Sequence, residues 1–150
     1  MLDFLYPIED YFINKSYFPQ TIGGKILKHT RKEGIPSLDN VQIAFFSLYN
    51  SENILKNSFR EYFYSLYLGN WGVSLADLGN IPEGITQEDT FLAIKETSLY
   101  LLKRGIIPVL IGGNQDNTYA LYRAFDHLEQ LVNIASVSAF FDFGDDTEIF

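Results

Sequence analysis

The stretch that most constrains this chain is Arg104–Phe125, RGIIPVLIGGNQDNTYALYRAF. Ile106–Ile111 is a short, nearly unbroken apolar run with β-branched residues, the pattern of a strand buried on both faces. Gly112 and Gly113 end it. From Asp116 or Asn117 onward, Ala120, Leu121, Ala124, Phe125 and Leu128 recur at helical spacing, with Asx residues placed to cap. Strand, glycine turn and helix in that order put ligands at the carboxyl edge of a parallel sheet. A polar side chain just past such a strand lies where α/β proteins keep their chemistry.

The neighbouring sequence repeats the alternation. Val41–Phe46 reads as a strand, followed by a helix from Asn50 or Ser51 to about Leu68 with Leu55, Phe59, Tyr62, Phe63 and Leu66 on its apolar face. Gly69 is placed to end that helix. Val73–Ala76 reads as a second strand ending in Asp77-Leu78-Gly79-Asn80. There Asp77 serves either as a site residue or as a turn-stabilising Asx. The next helix is the best specified: Thr86 and Asp89 have capping-box spacing, and Glu88 and Asp89 suit the positive end of the helix dipole. Phe91, Ile94, Leu101 and Leu102 form its stripe, and Gly105 stops it. Leu131–Val137 reads as a fourth strand. Strands alternating with helices of this length predict βαβ units, a mostly parallel sheet and an α/β three-layer αβα fold in one domain over 1–150.

Residues 1–40 break the alternation. Pro7, Pro19 and Pro36 interrupt them, and Tyr6, Tyr11, Phe12, Tyr17 and Phe18 cluster. Ile8–Ile13 suits a helical turn and Lys25–His29 a short helix after Gly23-Gly24. The segment reads as an irregular packing lid whose rings cover the core, with a binding surface as the alternative. His29, beside Lys28 and Arg31, reads as a surface residue.

Composition narrows the function. The formal net charge of −8 opposes binding to nucleic-acid phosphates, because no Lys/Arg patch is present to release counterions. No apolar run reaches membrane-spanning length, and MLDFLYPIED lacks the positive start of a signal peptide, so a cytoplasmic protein without a membrane partner is expected. The chain has no cysteine and so neither disulfide nor thiolate site. Gly112-Gly113-Asn114-Gln115-Asp116 matches neither the P-loop nor the dinucleotide fingerprint, and Asp116 would repel a phosphate. Ser138 has no nucleophile elbow, and His127 lies in a helix, so a serine triad has no support.

Asp77-Leu78-Gly79-Asn80, the capped helix, and Ile107–Gly113 followed by a helix resemble the amino-terminal half of the ureohydrolases, the arginase, agmatinase and formimidoylglutamase group. The resemblance runs from about Val41 to Asp142 and is nearest the formimidoylglutamase-like branch. It implies two manganese ions held by Gly-Gly-Asp-His after the third strand, Asp-Ala-His-x-Asp after the fourth and a later Asp-x-Asp pair. These metals activate a water that attacks a guanidino or formimino carbon.

Position by position, Gly112 and Gly113 match. Asn114 stands at the Asp position and Gln115 at the His position. In the second motif Ser138 replaces the first Asp, Phe140 replaces the His, and Asp142 alone keeps its acid. The later Asp-x-Asp pair has no counterpart within these residues. A phenyl ring has no donor atom and an amide oxygen is a poor substitute for imidazole. Without the metals, water keeps a pKa far from neutral.

The expectation is therefore a pseudoenzyme that needs no cofactor. It would be a binding or assembly module, or the amino-terminal part of a longer formimidoylglutamase-like protein. The alternative is a manganese-dependent hydrolase of C–N bonds. A further reading is one oxygen-ligated cation at Asp116, Asp142, Asp145 and Asp146, set against a solvated acidic turn. The expected strand order is 2-1-3-4, the fourth strand closing directly on the third. The alternative is an open edge covered by partner chains or by the aromatic amino-terminal segment. Aromatic side chains left on the surface would suit a homo-oligomer or a protein partner.

Overall fold

The computed structural model describes residues 2–49, 55–128 and 132–137. Its order is α1 (Asp10–Asn14), α2 (Ile22–Lys25), β1 (Leu27–Lys28), β2 (Ile43–Tyr49), α3 (Leu55–Ser65), β3 (Leu75–Pro82), α4 (Gln87–Leu102), β4 (Ile107–Ile111) and α5 (Asn117–Asp126). The four strands form one sheet in the order β1-β3-β2-β4, every pairing parallel. The α/β class and the central order of the three main strands are as the sequence predicts.

The fourth strand is not where the sequence placed it. Residues 132–137 take no strand, and Val132, Ile134 and Val137 are exposed. The sheet gains its fourth member at the opposite edge, where Leu27 and Lys28 pair with Ala76 and Asp77. Lys25–His29 is thus not a helix: α2 ends at Lys25 and the chain then extends. Two β residues give too little periodicity to be seen in a sequence. The amino-terminal segment therefore covers the β3 edge. Among the described residues β4 has a strand on one side only, and Pro108 blunts the other. Ile107 donates its N–H to the Gln42 carbonyl, so by strand alternation the N–H that proline lacks falls on the open side.

Alternate strand residues feed two cores. Ala44, Phe46, Leu48, Ala76 and Leu78 face Ile94 and Leu101 of α4 and Ala120 of α5. Ile43, Phe45 and Leu75 face Tyr64 and Phe63 of α3 together with Phe12 of α1 and Ile22 of α2. These are the layers of an αβα sandwich. In the lid, Leu2, Leu5, Ile8, Phe12, Ile22 and Ile26 are buried, whereas Tyr6, Tyr11 and Phe18 stand out in solvent. Its aliphatic residues, more than its rings, do most of the covering.

α3 is rotated relative to the predicted apolar face. Tyr62 and Leu66 are exposed, while Arg60 and Tyr64 are buried with Phe63 half-buried. A polar anchor on the inner face outweighs hydrophobic periodicity here. α4 begins as expected: Thr86 Oγ1 accepts from the Asp89 N–H at 3.1 Å, and Asp89 Oδ2 accepts from the Thr86 N–H at 3.0 Å. The helix also buries Thr97 and Ser98, whose hydroxyls donate back to the Ala93 and Ile94 carbonyls.

Because the capping box satisfies two otherwise orphaned donors, Thr86→Ala should lower unfolding stability by about 1 kcal/mol. Urea denaturation measures it. Thr86→Ser should retain most of the stability, and equal loss in both variants would argue against a capping role.

Candidate functional site

β3 is longer than the sequence suggests, and the added residues carry the polar centre of the molecule. Asp77-Leu78-Gly79-Asn80 is not a loop past the strand but part of it. Phe45 pairs with Asp77 and Ser47 with Asn80, so Leu78 and Gly79 together oppose the single residue Phe46. This is a β-bulge, and Gly79 takes φ +87° within it. Residues three apart in a regular strand point to opposite faces. The extra residue cancels that offset and turns Asp77 and Asn80 to the same face, under α3.

Arg60 reaches down from α3 to meet both. Its Nε donates to Asp77 Oδ2 at 2.8 Å and its Nη2 to Asp77 Oδ1 at 2.9 Å, a bidentate pair. Nη2 also reaches the Gly79 carbonyl at 3.0 Å, and Nη1 donates to Asn80 Oδ1 at 2.9 Å. The Tyr64 hydroxyl donates to Asp77 Oδ2 at 2.8 Å, the Gly79 N–H to Asp77 Oδ1 at 2.9 Å, and Ser47 Oγ to Asn80 Oδ1 at 2.6 Å. Arg60, Tyr64, Asp77, Asn80 and Ser47 are all buried. Burial pulls the Arg60 guanidinium down, but the Asp77 charge and hydrogen bonds outweigh it and hold it above the usual arginine range. Burial first, then the charge and hydrogen bond of Asp77, push the Tyr64 hydroxyl far above the ordinary tyrosine range.

The strap formed by residues 2–8 seals this centre. Tyr6 and Asn80 exchange N–H···O bonds, both of 2.8 Å. A Cβ on Gly79 would stand 2.0 Å from the Tyr6 carbonyl oxygen, so only glycine admits the strap. His29, expected at the surface, is buried on the same side. Its Nδ1 lies 2.9 Å from the Leu78 carbonyl oxygen and so carries the proton, and its backbone carbonyl accepts from the Ile8 N–H. The Asx reading of Asp77 holds in part, through the Gly79 N–H. Both of its oxygens are occupied, so it is not presented to a ligand.

The second place of interest is the turn after β4. Gly112 and Gly113 both take positive φ, +84° and +90°. A Cβ on Gly113 would stand 2.4 Å from Asn117 Nδ2 and 2.7 Å from Leu48 Cδ1. Asn114, Gln115 and Asp116 are exposed. Asp116 Oδ2 accepts from Asn114 Nδ2 at 3.2 Å and from Gln87 Nε2 at 3.4 Å. Asn117 Nδ2 donates to Asn114 Oδ1 at 2.8 Å, which ties the turn to α5. The N–H groups of Asn117, Thr118 and Tyr119 donate to the carbonyls of residues 114–116. The first turn of α5 thus consumes the donors that a phosphate would need, which agrees with the sequence reading.

Asp77 lies in the buried clamp and Gly112–Asp116 at the exposed turn, on different strands, and no hydrogen bond or ion pair joins the two groups among the described residues. Ser138, Phe140, Asp142, Asp145 and Asp146 lie outside the described residues. Sequence reasoning missed Arg60, Ser47 and Asn80. The available signal was one arginine inside an aromatic helix face, four residues before Tyr64.

The architecture is an αβα domain with a parallel sheet. No protein-family profile matches the sequence, and no curated protein matches it. Among solved structures, the chain is similar to the crystal structure of Trypanosoma cruzi formiminoglutamase, oxidized and with manganese at pH 6.0. Identity is 23%, the TM-score is 0.46, and the match covers 59% of this chain and 38% of that one. The match thus spans well under half of that protein.

The described donors do not fit a pair of manganese ions. Among the described residues no three His, Cys, Asp or Glu side chains gather as a metal-holding group. Asp77 is neutralised by Arg60, and the glycine turn offers one carboxylate beside neutral amides, too little charge for two dications. Among the described residues no helix is long and apolar enough to cross a membrane.

Two outcomes follow from the clamp. Gly79→Ala should destabilise the fold by more than about 2 kcal/mol, from left-handed strain plus displacement of the strap. A neutral result in chemical denaturation would mean the bulge is dispensable. Tyr64 also holds its proton more tightly folded than unfolded. Its stabilisation is therefore complete below the ordinary tyrosine value of 10.0 and drains away as pH climbs above it. Stability measured from pH 8 to 11 should fall more steeply in the parent than in Tyr64→Phe. Parallel curves would contradict the assignment.

Proposed function

We propose that this chain is a catalytically silent α/β domain of ureohydrolase-like design, acting as a binding or assembly module. It serves alone or as the amino-terminal part of a longer formimidoylglutamase-like protein. One observation carries the reading. The turn after β4, where the motif resemblance calls for an aspartate and a histidine, holds Asn114 and Gln115, and Asp116 beside them is engaged by Asn114 and Gln87.

The chemistry of such a hydrolase supports the reading. Two metals lower the pKa of a shared water, and their charge must be balanced by carboxylates and imidazoles with free lone pairs. Asn114 and Gln115 supply neutral amide oxygens. Asp77 supplies a carboxylate whose both oxygens are already bonded to Arg60. The family-motif positions at Ser138, Phe140 and Asp142 keep one acid and lose one acid and one imidazole by their residue types alone. What is retained is the scaffold: parallel strands, a glycine turn and helices on both faces. A surface rather than a reaction centre is then the functional part.

Manganese titration with metal analysis tests this directly, together with urea, ammonia and formamide release from guanidino and formimino substrates under manganese. The proposal expects no stoichiometric manganese and no turnover above buffer. Two equivalents of bound manganese with turnover would replace it with the hydrolase alternative. One oxygen-bound cation, calcium or magnesium, lost in Asp116→Asn would favour the acidic-turn site instead.

A further inference from the structure

Among the stretches of this acidic chain that carry no charge, two come together in the fold. Residues 16–24 and 62–76 contain no Asp, Glu, Lys, Arg or His, although the chain holds 19 acidic and 11 basic residues. The fold brings these stretches together. Thr21 and Tyr67 form an antiparallel bridge. The Ile22 N–H donates to the Leu66 carbonyl at 2.8 Å, and the Leu68 N–H to the Gln20 carbonyl at 3.0 Å.

The outer side of this seam is aromatic and open. Phe18 is 78% exposed, Tyr62 74%, Tyr67 69%, Trp71 77% and Leu66 54%. Tyr67 and Trp71 flank Gly69, each within 4 Å of the position a Cβ would take there. Tyr62 lies on the outer side of α3, and Leu66 follows four residues on, just past the end of the helix. Of the charges that border it, Lys15 and Glu61 are paired with one another, Lys28 donates to the Gly23 carbonyl, and Lys25 is exposed. Exposed aromatic side chains gathered on an uncharged seam have the composition of an interface core.

The charge distribution says what fits it. Each copy of the chain carries a net charge of −8, so two copies repel wherever their charged surfaces face. A two-fold contact must also be complementary to itself, since the same patch meets its own image. A patch of a single charge sign fails that condition, and a neutral aromatic one meets it. We propose that two copies of the chain associate through this uncharged face, with Phe18, Tyr62, Leu66, Tyr67 and Trp71 at the contact. The association does not depend on whether the chain binds metal, so its failure and that of the preceding reading are distinguishable.

Trp71 is the single tryptophan of the chain and reports on this face directly. With rising protein concentration, its emission should shift to the blue and its quenching by acrylamide should fall. The light-scattering mass should move from one chain to two in step. Sodium chloride should tighten the dimer by screening the repulsion between copies, the opposite of a charge-driven contact. Leu66→Glu sets like charges against each other across the two-fold axis and should weaken association by about tenfold or more. If circular dichroism shows that variant unfolded, Trp71→Ser read by light scattering takes its place, with the same weakening expected. A one-chain mass with Trp71 fully quenchable at every concentration overturns the proposal. So does a dimer that salt weakens, or one that these substitutions leave unchanged.

Discussion

The bidentate ion pair between Arg60 and Asp77 organises this molecule. It ties α3 to the centre of the sheet, and through Asn80 and the Gly79 carbonyl it also fixes the bulge in β3. A charge pair this deeply buried loses its hydration, and it is tolerated only because nearly every lone pair and N–H is satisfied. Tyr64, Ser47 and the Gly79 N–H complete that satisfaction. The bulge in turn admits the amino-terminal strap, whose Tyr6 lies against Gly79. Helix, strand and strap are therefore interdependent, and the link between them is polar rather than apolar.

That polar centre also explains which parts of the fold were legible. The strands at Ile43–Tyr49 and Ile107–Ile111, the capping box at Thr86 and Asp89, and the stop at Gly105 rest on local rules, and the structure keeps them. The inner face of α3 was misread because Arg60 and Tyr64 face inward while Tyr62 and Leu66 face out. Hydrophobic periodicity cannot register an arginine whose partner is a distant aspartate. The length of β3 was missed for a related reason: Asp77, Gly79 and Asn80 have turn chemistry, and here that chemistry serves a bulge inside a strand. The basic neighbours of His29 point to the surface, yet long-range bonds to Leu78, Asp77 and Ile8 hold it buried. Leu27 and Lys28 form a strand by docking on β3, which no local pattern marks.

The same distinction governs the candidate site. The glycine turn after β4 was legible because glycine demand at positive φ is a backbone property. The fate of Asp77 was not, because it depends on Arg60, a residue of another element that lies 17 positions earlier in the chain. An acid read as lying just past a parallel strand invites a functional interpretation, but Asp77 sits inside β3, third of its eight residues. Here it is a structural anion whose charge is consumed inside the protein. What remains open to solvent is the glycine turn, with its amides, and the uncharged aromatic seam between α2 and the end of α3.

The most direct test is a double-mutant cycle on the central pair. Arg60→Met, Asp77→Leu and the double variant would be compared with the parent by equilibrium denaturation. Each single change strands a buried charge and should cost about 3–5 kcal/mol, while the double variant should cost less than the sum by more than about 2 kcal/mol. Losses that add to within about 0.5 kcal/mol would show that the two side chains do not depend on one another, and the account of the fold would fail with them.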